Sequence, residues 1–243
     1  MAISDPKFEL TAPLEIPRDE VHLWQVELTA VRCGEARWRE IISHDEQARA
    51  DRFRFAIDRE SFTAARAILR ILLGAYAGLT PEAVTFSYAE QGKPSLDTHE
   101  QNERVEFNLS HSGEIALLAF ARGRAVGVDV ERIRENLDPE KIARRFFSRR
   151  EQDELSALPP SQRCVGFFRC WTRKEAYIKA RGAGLSLPLQ AFDVSLKAGD
   201  QNALLDARTE DTDITKWPLG EVAVRNGYVA ALCVERNGWR LIS

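Results

Sequence analysis

Apolar residues recur at two different periods along the first half of the chain. Between residues 22 and 31 they occupy every second position, which predicts a strand with one buried face. From residue 58 to residue 77 they recur at three- and four-residue spacing, which predicts a long helix with Asp58 as its N-cap and Gly78 as its stop. The apolar positions of this helix are Phe62, Ala65, Leu69, Leu72 and Tyr76.

Shorter elements follow that helix. A turn at Gln91-Gly92-Lys93-Pro94 separates short apolar runs, which predict strands at residues 84–88, 105–109 and 115–121.

The second half of the chain repeats this plan. It predicts helices at residues 139–147, 149–158 and 162–180, and strands at 126–131, 192–196, 221–224, 228–234 and 239–242. The last three strands are expected to complete a second sheet. Ala183-Gly184-Leu185-Ser186 after the last helix resembles Ala77-Gly78-Leu79-Thr80 after the first, which indicates an internal duplication with its seam near Arg124. Short hairpins beside long helices predict an α+β fold.

Composition narrows the class of protein. With 243 residues, of which 44% are apolar and 29% charged, the chain can form one large unit or two small ones. A net charge of −3 gives no general attraction to nucleic acid. The longest apolar runs are too short to span a bilayer, and the first residues lack the pattern of an export signal. We therefore expect a cytoplasmic protein with no nucleic-acid or membrane partner, and reduced, mostly buried cysteines.

The segment Gly127-Val128-Asp129-Val130-Glu131 carries the first candidate chemistry. Strand geometry sends Asp129 and Glu131 to one face and the neighbouring valines to the other. Two adjacent carboxylates repel each other unless a cation or a shared proton relieves them, so a metal site is the functional interpretation. The alternative is an exposed strand face that carries two acidic residues by chance.

A third carboxylate lies on the predicted helix at 162–180. Trp171, Glu175 and Lys179 are spaced i, i+4 and i+8 and share one face. Magnesium takes a few carboxylates and completes its shell with water and phosphate oxygens, so three acids and a lysine suit a metal-bound pyrophosphate. The alternative is an ordinary Glu-Lys helix pair, which contributes about 0.3 kcal/mol.

Hydrogen-bond donors cluster at the end of the strand at 105–109. The segment Phe107-Asn108-Leu109-Ser110-His111-Ser112-Gly113 can hold a phosphate, and Lys93 stands on a rigid turn upstream. The adjacent serine and histidine also raise a hydrolase as an alternative, but the chain has no G-x-S-x-G elbow.

Taken in order, five segments resemble the two-halved, Sfp-type class of 4′-phosphopantetheinyl transferases. They are GKP, FNLSHSG, GVDVE, RRFFSRRE and WTRKEAYIKARGAGLSLPL, and the resemblance runs from Arg49 to Leu196. It implies two similar α+β halves related by pseudo-twofold symmetry, at residues 1–124 and 125–243. It also implies transfer of the phosphopantetheine arm of coenzyme A to a serine of an apo acyl carrier protein or peptidyl or aryl carrier domain, with 3′,5′-ADP as the second product.

The resemblance assigns roles to the acidic residues and to two lysines. Asp129, Glu131 and Glu175 would bind Mg²⁺, or Mn²⁺, together with the pyrophosphate of coenzyme A. Lys179 would neutralise that pyrophosphate, with Lys174 beside it. The base that takes the serine proton is expected to be Glu175 or Glu151. For Glu151 a second interpretation stays open, since Ser148-Arg149-Arg150-Glu151 also matches a capping box.

The first half is implied to bind the adenosine and 3′-phosphate end of coenzyme A. The residues assigned to it are Arg66, Lys93, Ser110 and His111. Some family members place two lysines ahead of the first long helix, whereas this chain has Glu46 and Arg49. Arg49 is therefore a further candidate, with a solvated helix charge as the alternative.

A basic cluster offers a surface for the carrier protein. It consists of Arg144, Arg145, Arg149 and Arg150, which flank Phe146-Phe147. Carrier proteins of this kind are typically acidic, so we expect electrostatic docking here, against the alternative of a solvated helix surface. The family fold implies a monomer. Two other functions are kept: another magnesium-dependent transferase acting on a nucleotide or phosphate, and a non-catalytic module that binds coenzyme A or a carrier.

Overall fold

The computed structural model describes residues 1–10, 12–88, 91–97, 104–208 and 213–243. The chain divides into two compact units. The N-terminal unit comprises Met1–Ser87, Pro94–Gly123 and Trp239–Ser243, and the C-terminal unit comprises Tyr88–Lys93 and Arg124–Gly238. Each unit contains both helices and sheet, which confirms the predicted α+β class.

The strands are β1 (Ala2–Ile3), β2 (Glu20–Glu27), β3 (Phe86–Tyr88), β4 (Pro94–Leu96), β5 (Val105–Ser112), β6 (Ile115–Arg122), β7 (Val126–Arg132), β8 (Phe192–Val194), β9 (Leu204–Ala207), β10 (Leu219–Glu221), β11 (Tyr228–Val234) and β12 (Arg240–Ile242). The helices are α1 (Leu28–Val31), α2 (Glu35–Ile41), α3 (His44–Ala50), α4 (Ala56–Ala77), α5 (Pro139–Phe146), α6 (Arg149–Ala157) and α7 (Pro160–Arg181).

The N-terminal unit is built on a five-stranded sheet in the order β1-β2-β6-β5, with β12 also paired to β2. Strands β2, β6 and β5 are antiparallel neighbours. Helix α4 contributes its apolar face to the core of this unit, and all five of its predicted apolar positions are buried. Gly78 ends α4 in the left-handed conformation, at φ 69°, as predicted. The predicted cap is wrong, since α4 begins two residues earlier with Phe55 as its N-cap, and Asp58 lies in the first turn.

Two further predictions for this unit need correction. The strand expected over residues 22–31 ends at Glu27, and the chain then turns into α1. The strand expected at 239–242 does not complete the second sheet, because β12 runs parallel to β2 in the N-terminal unit. Arg240 supports that pairing, since its Nη2 donates to Glu20 Oε1 at 2.6 Å.

The C-terminal unit is built on an antiparallel sheet in the order β10-β11-β7, and α7 packs on β7 and β11. Strand β7 confirms the prediction at 126–131 to within one residue. Helix α7 ends at Arg181, where Gly182 adopts the left-handed conformation at φ 63°. Gly182, rather than the predicted Gly184, is therefore the counterpart of Gly78. Residues Gly184–Ser186 form a short 3₁₀ turn instead.

Candidate active site

Strand β7 separates its valines from its acidic residues as predicted. Val126, Val128 and Val130 are buried. Asp129 and Glu131 lie on the other face, opposite Ala231 and Val229 of β11 in the antiparallel register. Asp129 is nearly inaccessible to solvent and Glu131 is partly accessible.

Helix α7 supplies the second half of the site. Trp171, Glu175 and Lys179 are partly exposed, whereas every residue between them is buried, so the three share one outer face of the helix. Lys179 Nζ donates to Asp129 Oδ1 at 2.6 Å and to Val128 O at 3.3 Å. The helix face and the acidic strand face are therefore joined directly.

The carboxyl group of Glu175 responds to this surrounding charge. Burial raises the pKa of Glu175 above its usual range, and the negative charge of Asp129 raises it further. Lys179 opposes this rise and Glu131 adds to it. Three carboxyl groups and one ammonium group thus interact in one place, and proton uptake by Glu175 is one way to relieve the repulsion.

The described residues contain no group of three or more His, Cys, Asp or Glu side chains already arranged to hold a metal ion. One oxygen of Asp129 is bonded to Lys179 instead. The chemistry of the donor set nevertheless suits a hard divalent cation, because Asp129, Glu131 and Glu175 offer only oxygen atoms. Their mutual repulsion is also of the kind that a cation relieves.

Lys174 and Glu151 lie inside the C-terminal unit rather than on its surface. Both side chains are fully buried, and Lys174 Nζ lies 2.7 Å from Glu151 Oε1. The same ammonium group donates to Leu189 O at 2.7 Å and to Phe192 O at 2.8 Å. The family resemblance implied that Lys174 lies beside the pyrophosphate, but its three donors are directed to partners in the protein interior.

Glu151 is held from several directions. It closes the predicted capping box with Ser148, whose backbone nitrogen donates to Oε2 at 2.9 Å. Val194 N donates to Oε1 at 2.8 Å. Burial raises the pKa of Glu151, and Lys174 is the largest influence that lowers it. The capping-box interpretation of Glu151 is confirmed, and these contacts join α6 to α7 and β8.

Arg66 has a partner that the sequence analysis did not foresee. Its guanidinium group forms a buried ion pair with Glu46, which Arg70 joins through a contact of 2.6 Å between its Nε and Glu46 Oε2. Glu46 also caps α3 together with Ser43. Arg66 was assigned to the 3′-phosphate, but here it serves an Arg-Glu-Arg cluster in the N-terminal unit.

Two signals in the sequence point to that cluster. Ser43 and Glu46 have capping-box spacing, which directs the glutamate back toward its own helix start. Arg66 and Arg70 are one helical turn apart and share a face of α4. Neither signal identifies which acidic residue the arginines meet, because that contact joins separate helices.

The other candidates for the adenosine end lie in different surroundings. In the N-terminal unit Ser110 is buried and His111 exposed near the end of β5. Arg49 is exposed on α3, with its guanidinium carbon 5.3 Å from the centre of the Phe62 ring. In the C-terminal unit Lys93 Nζ donates to Val126 O at 3.1 Å and to Ala180 O at 3.4 Å.

The basic cluster extends over the end of α5 and the start of α6. Its four arginines are exposed, and the side chain of Arg149 is 85% exposed while pairing with Asp153 at 3.2 Å. Phe146 is partly exposed and packs edge-on against Trp171, whereas Phe147 is fully buried and stacks on Phe167. Only Phe146 of the pair therefore contributes to the surface.

These features define a class: an α+β protein with an acidic, lysine-linked site on a strand and a long helix, suited to a phosphate ester and a divalent cation. A model of the 4′-phosphopantetheinyl transferase superfamily matches residues 125–233, and a model described as 4′-phosphopantetheinyl transferase, N-terminal, matches residues 34–122. No helix in the described part of the chain is long and apolar enough to cross a membrane.

Individual relatives agree with the family models. The chain is 39% identical over 227 residues to the 4′-phosphopantetheinyl transferase HetI of Nostoc sp. (strain PCC 7120), a match that covers 93% of this chain and 92% of HetI. It is 32% identical over 170 residues to the 4′-phosphopantetheinyl transferase Sfp of Bacillus subtilis (strain 168), covering 68% of this chain and 71% of Sfp. The chain belongs to the 4′-phosphopantetheinyl transferase superfamily, in its two-halved, Sfp-type class.

Proposed function

We propose that this enzyme transfers the 4′-phosphopantetheine arm of coenzyme A to a serine of an apo carrier protein. The serine oxygen forms a bond to the phosphorus that bears the arm, the pyrophosphate P–O bond breaks, and 3′,5′-ADP leaves. The observation that carries the proposal is the contact between Lys179 and Asp129, beside Glu175, in a chain that matches this family over nearly its whole length.

Asp129, Glu131 and Glu175 are the residues that would hold Mg²⁺, with Mn²⁺ as the second candidate. Their carboxylates provide the hard oxygen ligands that either ion takes. When bound, the ion supplies positive charge to the pyrophosphate and to the departing phosphate oxygen.

Lys179 stabilises the charge of the leaving group, and Glu175 acts as the general base. The ammonium group of Lys179 stabilises negative charge on the pyrophosphate as 3′,5′-ADP departs. Glu175 accepts the serine proton, directly or through water, because it is partly exposed and lies on the same face of α7 as Lys179. Glu151 is the weaker candidate for this step, since Lys174, Val194 and its own capping box occupy it. The assignment of Arg49, Lys93, Ser110 and His111 to the adenosine end stays a prediction.

The proposed partner is an acidic acyl, peptidyl or aryl carrier protein that docks on Arg144, Arg145, Arg149 and Arg150. Support comes from the exposure of these arginines and from the partly exposed Phe146 beside them. Charge reversal of Arg149 and Arg150 together is expected to raise the carrier KM and leave the coenzyme A KM unchanged. Lys216→Glu, at an exposed lysine outside the cluster, is the matched control. An unchanged carrier KM in the double variant would contradict docking here.

Mass spectrometry of an apo carrier panel tests the reaction itself. With coenzyme A and magnesium, a carrier should gain the mass of one phosphopantetheine arm, and 3′,5′-ADP should appear in equal amount. Glu175→Ala should abolish this gain, while Glu135→Ala, which removes an exposed acid on the segment after β7, should preserve it. Turnover of nucleoside triphosphates alone would favour another nucleotide transferase, and binding without turnover would favour a non-catalytic module.

A further inference from the structure

Strand β7 and helix α7 approach unusually closely at Gly127. A Cβ atom built on this glycine would lie 2.2 Å from Ala176 O and 2.3 Å from Ala180 N. Both are backbone atoms of α7, so no side-chain rotation can make room. Gly127 does not have a positive φ, so this position does not need the conformational freedom of glycine. It needs a residue without a side chain.

The charged residues of the site flank this contact. Gly127 and Asp129 lie on the same face of β7, two residues apart. Glu175 and Lys179 each precede one of the two alanines that meet Gly127. The spacing between strand and helix at Gly127 therefore fixes how far the carboxylates of β7 lie from the side chains of α7.

We propose that Gly127 is a positioning residue, which sets the distance between β7 and α7 and thereby brings Asp129 and Glu131 into range of Glu175 and Lys179. The inference rests on the proposed metal and pyrophosphate site. A methyl group at Gly127 would have to move α7 by about 1 Å to restore van der Waals separation. The hydrogen bond between Lys179 and Asp129 is 2.6 Å long, and an increase of that size in the separation of these two atoms would exceed hydrogen-bonding range.

Lys93 stabilises the same close contact between β7 and α7, near the C-terminal end of α7. Its ammonium group bridges Val126 O, the carbonyl just before Gly127, and Ala180 O, the carbonyl just after Lys179. A cation is favourable there because Ala180 belongs to the last turn of α7. Gly127 permits the close approach and Lys93 holds it.

Binding of Mn²⁺ to the free protein, measured by electron paramagnetic resonance without coenzyme A, tests the role of Gly127. Gly127→Ala should weaken Mn²⁺ binding by about 10- to 100-fold, as loss of a supporting contact around a metal typically does. Its kcat should fall in parallel, while the KM for the carrier stays near that of the wild type. Gly166→Ala is the matched control on α7, because the added methyl group meets only the ends of two leucine side chains, Leu158 Cδ1 at 2.5 Å and Leu155 Cδ1 at 3.4 Å, and no backbone atom. It should retain Mn²⁺ affinity and kcat.

Lys93→Met provides a second variant that adds no clash and keeps the test decisive if Gly127→Ala does not fold. Removing a positive charge would by itself favour the binding of a cation. Weaker Mn²⁺ binding in Lys93→Met would therefore show that β7 and α7 have moved apart. Wild-type affinity in folded Gly127→Ala, or in Lys93→Met where the former does not fold, would overturn the inference. A wild-type protein that neither binds Mn²⁺ nor modifies a carrier would instead contradict the proposed function.

Discussion

Lys174 Nζ lies 2.7 Å from Glu151 Oε1, and neither side chain is accessible to solvent. Lys174 directly precedes Glu175 in the chain, and its pair with Glu151 joins α7 to the first turn of α6. Two backbone carbonyls complete the shell of the ammonium group, and two backbone nitrogens donate to the carboxylate. A buried pair of this kind orders the segment that carries Glu175.

Removal of either partner should destabilise the protein strongly. Lys174→Met leaves Glu151 as a buried acid without its counter-ion. Glu151→Gln likewise leaves the buried ammonium group of Lys174 without its counter-ion. We expect each to lower the free energy of unfolding by about 3 to 5 kcal/mol, measured by urea denaturation. The double variant should cost less than the sum of the two, because it leaves no unpaired charge. Additive losses would show that the two groups do not act as a pair.

The parts of this fold that the sequence predicted well depend on local periodicity. Helix α4 and strand β7 follow from the spacing of their own apolar residues, and so does the shared face of Asp129 and Glu131. The pairing of β12 with β2 joins segments some 220 positions apart, and nothing within residues 239–242 encodes it. The contact at Gly127 was missed for the same reason, since a glycine in a strand does not reveal which backbone approaches it.

Variants of Glu46 and its two arginines should show whether this cluster contributes to stability or to substrate binding. Glu46→Gln would leave two buried guanidinium groups facing each other, and we expect a loss of about 3 to 5 kcal/mol in unfolding free energy. Arg66→Met should cost less, because Arg70 still pairs with the carboxylate. Urea denaturation gives the order of the two variants. A large rise in the coenzyme A KM of Arg66→Met at unchanged stability would restore the 3′-phosphate role.

Tyr76 should make the protein sensitive to alkali. Burial raises the pKa of Tyr76 to about 12, and its hydroxyl contacts His22 Nδ1 at 2.7 Å and accepts from Trp24 Nε1 at 3.0 Å. The unfolded chain ionises this phenol near its ordinary value of about 10, so unfolding releases a proton above that pH and stability falls as the pH rises. Between about pH 10 and 12 the loss should approach 2 to 3 kcal/mol.

Tyr76→Phe is the control for that dependence. It should be less stable than the wild type at neutral pH, because His22 and Trp24 lose a hydrogen-bond partner. Its stability should decline less steeply between pH 10 and 12 in urea denaturation. If the unfolding free energy of both proteins fell equally steeply between pH 10 and 12, groups other than Tyr76 would cause the loss of stability in alkali.

Deletion of residues 239–243 should destabilise the N-terminal unit, although these residues follow the C-terminal unit in the chain. The deletion removes β12 and exposes the edge of β2 at residues 20–22, while β1 still pairs with Gln25 and Val26 on that edge. Arg240→Ala alone should cost no more than about 1 kcal/mol, since the arginine is largely exposed. Hydrogen exchange should rise in β2 of the truncated protein and stay unchanged in β11, and equal protection of β2 in both proteins would contradict the pairing.

Lys179→Met should separate cation binding from catalysis. The variant frees Asp129 Oδ1 from its 2.6 Å contact and removes a competing positive charge, so Mn²⁺ binding at pH 8 should be retained or strengthened. Because Lys179 lowers the pKa of Glu175, its loss raises that pKa further, and protons should displace Mn²⁺ at a higher pH than in the wild type. Transfer to the carrier should nevertheless fall by about 100-fold or more, since no ammonium group stabilises the departing 3′,5′-ADP. Lys216→Met, at an exposed lysine, should change none of these quantities. Wild-type turnover by Lys179→Met would remove this lysine from the mechanism and leave Asp129, Glu131 and Glu175 to act with the metal alone.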